Sequence, residues 1–308
     1  MVAPPVLELV TAELTVGVLP DKGADIYSFV DRASGIDVLF KTPWGRRDPA
    51  TLPPAADSQA DWMARYPGGW QQLLPNAGPA RRQGGTELGF HGEASVVPWR
   101  LVTADHRSAR LTVELLSVPL RIDRELRLDG PELFVRDVVC NLGPDPVPVC
   151  WVQHPAFGAP FLDGRCRIDS SARLFLSDAE NPGTGVRPDT MSSWPRLPGV
   201  TGRDLTEVAG IGEARAVFGA LTSFPTDAWF TVTSPTAGFG IRVEWDPAAF
   251  GHAWFWQECQ ATPGFPWFRR AYVVAVEPAT SCPAMVFRAS WSEEIRRCWP
   301  ARRSGSPR

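Results

Sequence analysis

Glu277 stands where an ionised carboxylate is costly, at the end of the apolar run Ala271-Tyr272-Val273-Val274-Ala275-Val276 and just before Pro278. The run is short and rich in β-branched residues, which predicts a buried strand. Burying an unpaired carboxylate costs roughly several kcal/mol, so a residue held there needs a partner or a use. Two further segments carry complementary groups: Gly89-Phe90-His91-Gly92-Glu93, and Val152-Gln153-His154-Pro155-Ala156-Phe157-Gly158. A carboxylate and two histidines are the parts of a proton-transfer site working near neutral pH. Taken singly, each has a plainer reading. Glu277 could be solvated at a strand end or paired with Arg269 or Arg270, His154 could be a satisfied structural histidine, and His91 a turn residue among glycines.

Aromatic residues gather in the same neighbourhoods. The chain has 13 Trp, among them Trp70, Trp99, Trp151, Trp254, Trp256 and Trp267. An indole ring offers a flat apolar face for the C–H face of a sugar and an N–H for a hydroxyl, although core packing accounts for part of the set. No concentrated Arg/Lys cluster accompanies them. A pocket built from Trp, His, Gln and carboxylate therefore suits a neutral polyol better than a phosphate.

The elements that must position these residues are strands. With 31 Pro, 27 Gly and 21% charged residues in 308, and no sustained 3.6-residue period, the composition predicts an all-β chain. Strands are predicted over 7–10, 14–19, 24–31 and 37–40, then a surface loop over 44–60. An antiparallel meander follows between 96 and 153, with a turn at Asp129-Gly130. Residues 178–205 break the pattern and read as an excursion or lid, and strands resume from 216 to about 291. One domain over residues 1–300 is expected, with 301–308 a disordered tail.

The net charge of -3 comes from mixed signs, which argues against a nucleic-acid or anionic membrane partner. No apolar stretch approaches the ~18 residues of a spanning segment, and the opening residues do not read as a leader, so a cytoplasmic protein is expected. Six cysteines without CxxC spacing read as reduced core thiols, with Cys140 and Cys150 the pair placed to be checked for a bridge. His91, His154, His252 and Glu277 lack metal-site spacing, so no metal and no cofactor are expected. Arg121, Arg124 and Arg127 read as a solvated strand face.

Four motifs in order carry a family resemblance: Gly68-Gly69-Trp70-Gln71-Gln72-Leu73-Leu74-Pro75-Asn76, Phe90-His91-Gly92 followed by Pro98-Trp99, His154-Pro155-Ala156-Phe157, and Val276-Glu277-Pro278-Ala279-Thr280-Ser281. Together they span residues 66 to 282, and the chain resembles the aldose 1-epimerases, or galactose mutarotase-like proteins, as a divergent member. The resemblance implies a large antiparallel β-sandwich (the galactose mutarotase-like supersandwich) with its site on a concave face, and a sugar as small-molecule partner. It implies that Glu277 is the general base and His154 the general acid of ring opening, with His91 orienting the sugar. Asn76, Arg82, Trp256, Gln257 and Glu258 are the remaining expected substrate contacts. The sequence departs from better-known members at two places. Arg65, Arg81 and Arg82 all lie near the position of the substrate-binding arginine, and Gln257 or Glu258 stands in for an absent aspartate.

Two rival functions fit the same residues. A glycoside hydrolase would pair Glu277 with Glu258 or Glu93, and a non-catalytic carbohydrate-binding or regulatory protein would keep the pocket without turnover.

Overall fold

The computed structural model describes residues 5–48, 51–52, 54–283, 293–295 and 299–300; the tail 301–308, expected to be disordered, lies outside them. The alternating segments become antiparallel ladders, and the fold is an all-β sandwich. The chain forms two compact units, one from residues 5–153 with the short strands Glu293–Ile295 and Trp299–Pro300, the other from residues 154–283.

Two larger sheets make up most of the first unit. One holds the strands Leu7–Val10, Leu14–Leu19, Asp25–Asp31 and Trp70–Leu73, with Ile36–Asp37 beside the third; the other is the meander Arg100–Ala104, Ser108–Glu114, Leu120–Asp129 and Glu132–Asn141. The Leu120–Asp129 strand shows why the layers hold. Leu120, Ile122, Leu126 and Leu128 share one face and are buried, and Arg124 is in phase with them at 1% exposure. Its position corrects the solvated reading of this arginine, since the two-residue period turns Arg124 inward while Arg121 and Arg127 face out beside Asp123 and Asp129.

Arg124 is directly opposite Asp137 in the ladder and meets it with both arms of the guanidinium, Nε to Oδ1 at 2.8 Å and Nη2 to Oδ2 at 2.9 Å. Its Nη1 donates to the Ala24 carbonyl, beside the other sheet, at 3.1 Å. Gln153 closes the network, donating to Asp137 at 2.8 Å and accepting from the Trp70 indole at 3.0 Å. The remaining charge requirement is thus met by hydrogen bonds, the condition under which a buried ion pair is tolerated.

An α-helix, Ser58–Arg65, begins in the last residues of the segment read as loop and runs five residues past it. Asp57 caps it by accepting from Ala60 N at 2.8 Å, Asp61 pairs with Arg65 one turn on, and the helix buries Trp62 and Met63. No described helix is long and apolar enough to cross a membrane.

The second unit is also two-layered. Its larger sheet runs Val152–Gly158, Tyr272–Ala279, His252–Cys259, Arg215–Thr222, Leu174–Ser177 and Met191–Ser193, the first strand beginning at the boundary of the units. Arg167–Ser170, Ala228–Ser234 and Phe239–Trp245 form the smaller sheet. Phe157 and Phe230 meet edge to face between them, with centroids 6.0 Å apart, and Trp245 packs on Phe230 at 6.1 Å. The Met191–Ser193 strand ties part of the expected excursion to Leu174–Ser177. Cys150, Cys166, Cys259 and Cys282 are buried thiols outside any disulfide, whereas Cys140 is disulfide-bonded; Cys150 is not its partner, and the all-reduced expectation fails at Cys140.

Removing one partner of the Arg124–Asp137 pair leaves a buried charge uncompensated. Asp137→Ala is expected to cost about 3–5 kcal/mol in urea unfolding, and the paired change Arg124→Met with Asp137→Leu to recover most of that loss.

Candidate active site

The strand carrying Glu277 does not end there. It runs through Pro278 to Ala279, and Glu277 lies inside it at 2% exposure. In the ladder with His252–Cys259, Trp254 faces Glu277 and Trp256 faces Ala275. Residues directly opposite in an antiparallel pair share a face, so Trp254, Trp256 and Glu258 stand on the Glu277 side and Gln257 on the other.

His154, buried at 5% exposure, joins this side from the neighbouring strand. Its Nε2 is 3.6 Å from Glu277 Oε1. That separation is an ionic approach just outside hydrogen-bond range, and it brings the two expected catalytic groups together. Glu277 Oε2 has no hydrogen-bond partner among the described residues. Burial without a compensating donor pushes the Glu277 carboxyl well above its ordinary value. The Trp256 ring lies 5.8 Å from the His154 ring and 5.6 Å from that of Trp267. Trp256 is half-buried while Trp267 is buried at its back, so one indole is left as a partly open platform beside the acid–base pair.

Other expected contacts are placed differently. Gln257, on the opposite face, donates to the Glu207 carbonyl at 3.3 Å. Glu258 is on the site face, but its carboxylate holds the turn that follows. It accepts from Ala261 N at 2.6 Å, Thr262 N at 3.1 Å and Thr262 Oγ1 at 2.5 Å. His252 Nδ1 lies 3.2 Å from Cys282 Sγ; burial lowers the histidine's pKa and raises the thiol's to about 11, so both stay neutral at pH 7. Among the described residues no three His, Cys, Asp or Glu converge as metal ligands.

Asn76, His91 and Arg82 belong to the first unit. Asn76 Nδ2 donates to the Gly89 carbonyl at 2.9 Å, and His91 Nδ1 accepts from Gly78 N at 3.0 Å, so the two clasp one pair of loops. Gly92, at φ 75°, completes the clasp, because a Cβ there would lie 2.4 Å from the Leu74 carbonyl oxygen. Arg82 is exposed on the hairpin Arg81–Gln83/Thr86–Leu88, opposite Glu87. Alternation puts Arg81 with Gln83, which donates to the Pro148 carbonyl at 3.1 Å, and Arg65 is held by Asp61. Glu93, one of the rival carboxylates, accepts from Leu116 N and Ser117 N, both at 2.8 Å.

A family model described as "Domain of unknown function (DUF4432)" matches residues 4–297. The chain belongs to this family. No protein of curated function matches the sequence. Among solved structures, this DUF4432 member is similar to a protein from Synechocystis sp. PCC 6803, with TM-score 0.67 and 15% identity over 96% of this chain and 93% of that one. It is also similar to a galactose mutarotase-like protein from Clostridium acetobutylicum, with TM-score 0.63 and 12% identity over 96% and 92% of the two chains. A galactose mutarotase-like protein from Lactobacillus casei gives 0.61 and 16% over 89% and 87%. The fold is therefore that of the galactose mutarotase-like β-sandwiches, as the motif order implied.

Glu277 also makes stability depend on pH. A carboxyl whose folded pKa is raised contributes fully below its unfolded value, near 4.5, and that contribution is lost as pH rises through the folded value. Glu277→Gln removes this loss. Urea unfolding should find the variant more stable than the native chain by a margin that grows from pH 5 to pH 8; a margin independent of pH would show that the carboxyl is not raised by burial.

Proposed function

We propose that this protein is an isomerase of the aldose 1-epimerase type, interconverting the α and β anomers of a free aldose or sugar derivative. The observation that carries this reading is the buried Glu277 carboxylate within 3.6 Å of His154 beside the half-open Trp256 ring. The names of the Clostridium and Lactobacillus neighbours point the same way, and the family match over residues 4–297 supports reading 1–300 as one mutarotase-like domain.

In this mechanism Glu277, as carboxylate, takes the proton from the anomeric C1 hydroxyl while His154 protonates the ring oxygen. The hemiacetal C1–O5 bond breaks and the free aldehyde forms. Rotation about C1–C2 presents the other carbonyl face, and ring closure returns both protons by the reverse path. A base whose pKa is raised above the ordinary carboxylate range is better matched to a hydroxyl proton, and burial raises that of Glu277. Trp256 is assigned to stacking on the sugar's C–H face.

Saturation-transfer NMR of anomer exchange across free aldoses, including galactose, glucose and a 6-phosphate, tests the assignment. Glu277→Gln and His154→Gln should each lower kcat/KM by about 10²–10⁴-fold, and Trp256→Ala should act mainly through KM. For the native protein kcat/KM should climb with pH through a value above the ordinary carboxylate range, since the base works deprotonated. Native turnover in Glu277→Gln would overturn the base assignment, and sugar binding without any exchange would favour a carbohydrate-binding protein.

A further inference from the structure

Arg215 carries a buried charge that the acid–base chemistry does not use. It opens the strand Arg215–Thr222 and is 8% exposed. In the ladders it stands opposite Cys259, and Cys259 opposite Tyr272, so it belongs to the sheet face turned away from Glu277. Its Nη2 donates to the Asp204 carbonyl, a neutral acceptor, at 2.9 Å, and its Nη1 has no hydrogen-bond partner among the described residues. A guanidinium stays protonated in proteins, so its burial ordinarily comes with a carboxylate, as at Arg124 and Asp137. Arg215 makes no such ion pair among the described residues: Glu207 pairs with Arg167, and Glu213 with Arg203. Burial, with Arg203 close by, holds the Arg215 guanidinium below its ordinary value.

Arg215 lines a pocket of about 300 Å³ together with Thr184, Leu197, Val200, Arg203 and Glu213. Thr184, Leu197, Val200 and Arg203 come from the segment 178–205 that reads from sequence as an excursion, and hydrogen bonds tie its start to the sheet. Thr184 N donates to the Ala216 carbonyl at 2.8 Å, and Thr184 Oγ1 accepts from Ala216 N at 3.0 Å. The residues that follow are anchored as well: Leu205, Val208 and Ala209 are buried, and the Tyr272 hydroxyl donates to the Ala209 carbonyl at 2.6 Å.

The lining has a definite chemistry. Two guanidiniums against one carboxylate leave an excess of positive charge. Arg203 has five N–H donors, enough to hold Glu213 and a second oxyanion together. Thr184 Oγ1 accepts from the backbone, which leaves its O–H to donate, and Leu197 and Val200 supply apolar surface. The volume is at the small end of ligand pockets, which run from roughly 300 to 1,000 Å³, and suits one small molecule. We infer that this pocket is a second binding site, taking a small organic oxyanion, a carboxylate or a phosphate monoester, on Arg215, Arg203 and Thr184. It is on the opposite sheet face from Glu277 and does not depend on the acid–base reading.

Calorimetric titration of the full chain tests it, with isovalerate and gluconate as carboxylates and glycerol 3-phosphate and glucose 6-phosphate as phosphate monoesters. At least one of the four should bind one to one, and the series that binds tells carboxylate from phosphate. Isovaleramide and glycerol are the uncharged controls and should not bind. Arg203→Gln and Arg215→Gln should each weaken the anion by about ten-fold or more, the worth of a charge-assisted hydrogen bond, while Glu277→Gln leaves its Kd within about two-fold. The same anion should raise the urea midpoint of the native chain and not that of Arg203→Gln, a protection that a merely structural arginine would not give. If Arg215→Gln does not fold, Arg203→Gln decides alone, since Arg203 is half-exposed beside Glu213. No saturable binding of any of the four, binding that survives either arginine substitution, or binding lost in Glu277→Gln would overturn the inference. Anion binding that persists where no sugar exchanges would uphold this site and count only against the proposed function.

Discussion

Successive side chains on a strand point to opposite sides, and most of the chemistry here follows from that one constraint. In Val152–Gly158, Gln153 turns to the Arg124–Asp137 network of the first unit while His154, the next residue, turns to Glu277 in the second. In His252–Cys259, Trp254, Trp256 and Glu258 share the Glu277 face, and Phe255 and Gln257 take the other, where Phe255 packs against Phe175. One face of the second unit's larger sheet can then be dry and close-packed while the other carries a titrating pair. Shifting either strand by one residue would exchange the two sets, so the register that packs the core also assembles the site.

Buried charge is handled in three ways, and the differences separate scaffold from site. Arg124 and Asp137 neutralise each other with two parallel bonds and further partners. Lys22 and Asp25 meet at 2.5 Å, with Gln71 also donating to Asp25, yet burial outweighs the lysine and lifts the Asp25 carboxyl to about 6. Among the described residues Glu277 is paired with no Lys or Arg, and a histidine stands at 3.6 Å; burial drives its shift. A carboxyl held this way has its charged form disfavoured by burial, which is a poor arrangement for stability and one found where acid–base work is done.

The sequence disclosed its strands well because their period and their turns are local. It disclosed the burial of Glu277 for the same reason, an apolar run with one charge in it. Arg124 was equally legible by phase, standing four residues from Leu120 and Leu128 and two from Ile122 and Leu126; weighing its charge above its phase put it outside. Gln257 has the same lesson in reverse, since its parity excludes it from a face shared by Trp256 and Glu277. The helix Ser58–Arg65 hid in a stretch rich in Pro, Ala and charge, although Asp57 and the Asp61/Arg65 spacing were there to be seen. What pattern could not show is where a polar side chain spends its bonds. The Asn76–Gly89 and His91–Gly78 clasps each join residues 13 apart, and both tie loops together with residues whose types suggested sugar contacts.

Placement of carboxylates also separates the proposed reaction from glycoside hydrolysis. Cleaving a glycosidic bond with two carboxyl groups needs them about 5–9.5 Å apart across the bond. The three strands that bear His154, Trp256 and Glu277 carry one further carboxylate on that face, Glu258, opposite Val273 and four residues along from Glu277. Four residues of strand are ~13 Å, and Glu258 already accepts three hydrogen bonds from the turn at 261–262, so moving it toward Glu277 would release all of them. The group that does stand beside Glu277 is a histidine, able to give a proton to a ring oxygen and recover it within one cycle. An acid and a base on the same sugar are what the proposed opening and closing of a hemiacetal requires, and among the described residues on this face of the three strands Glu277 and His154 are the titratable groups that stand together.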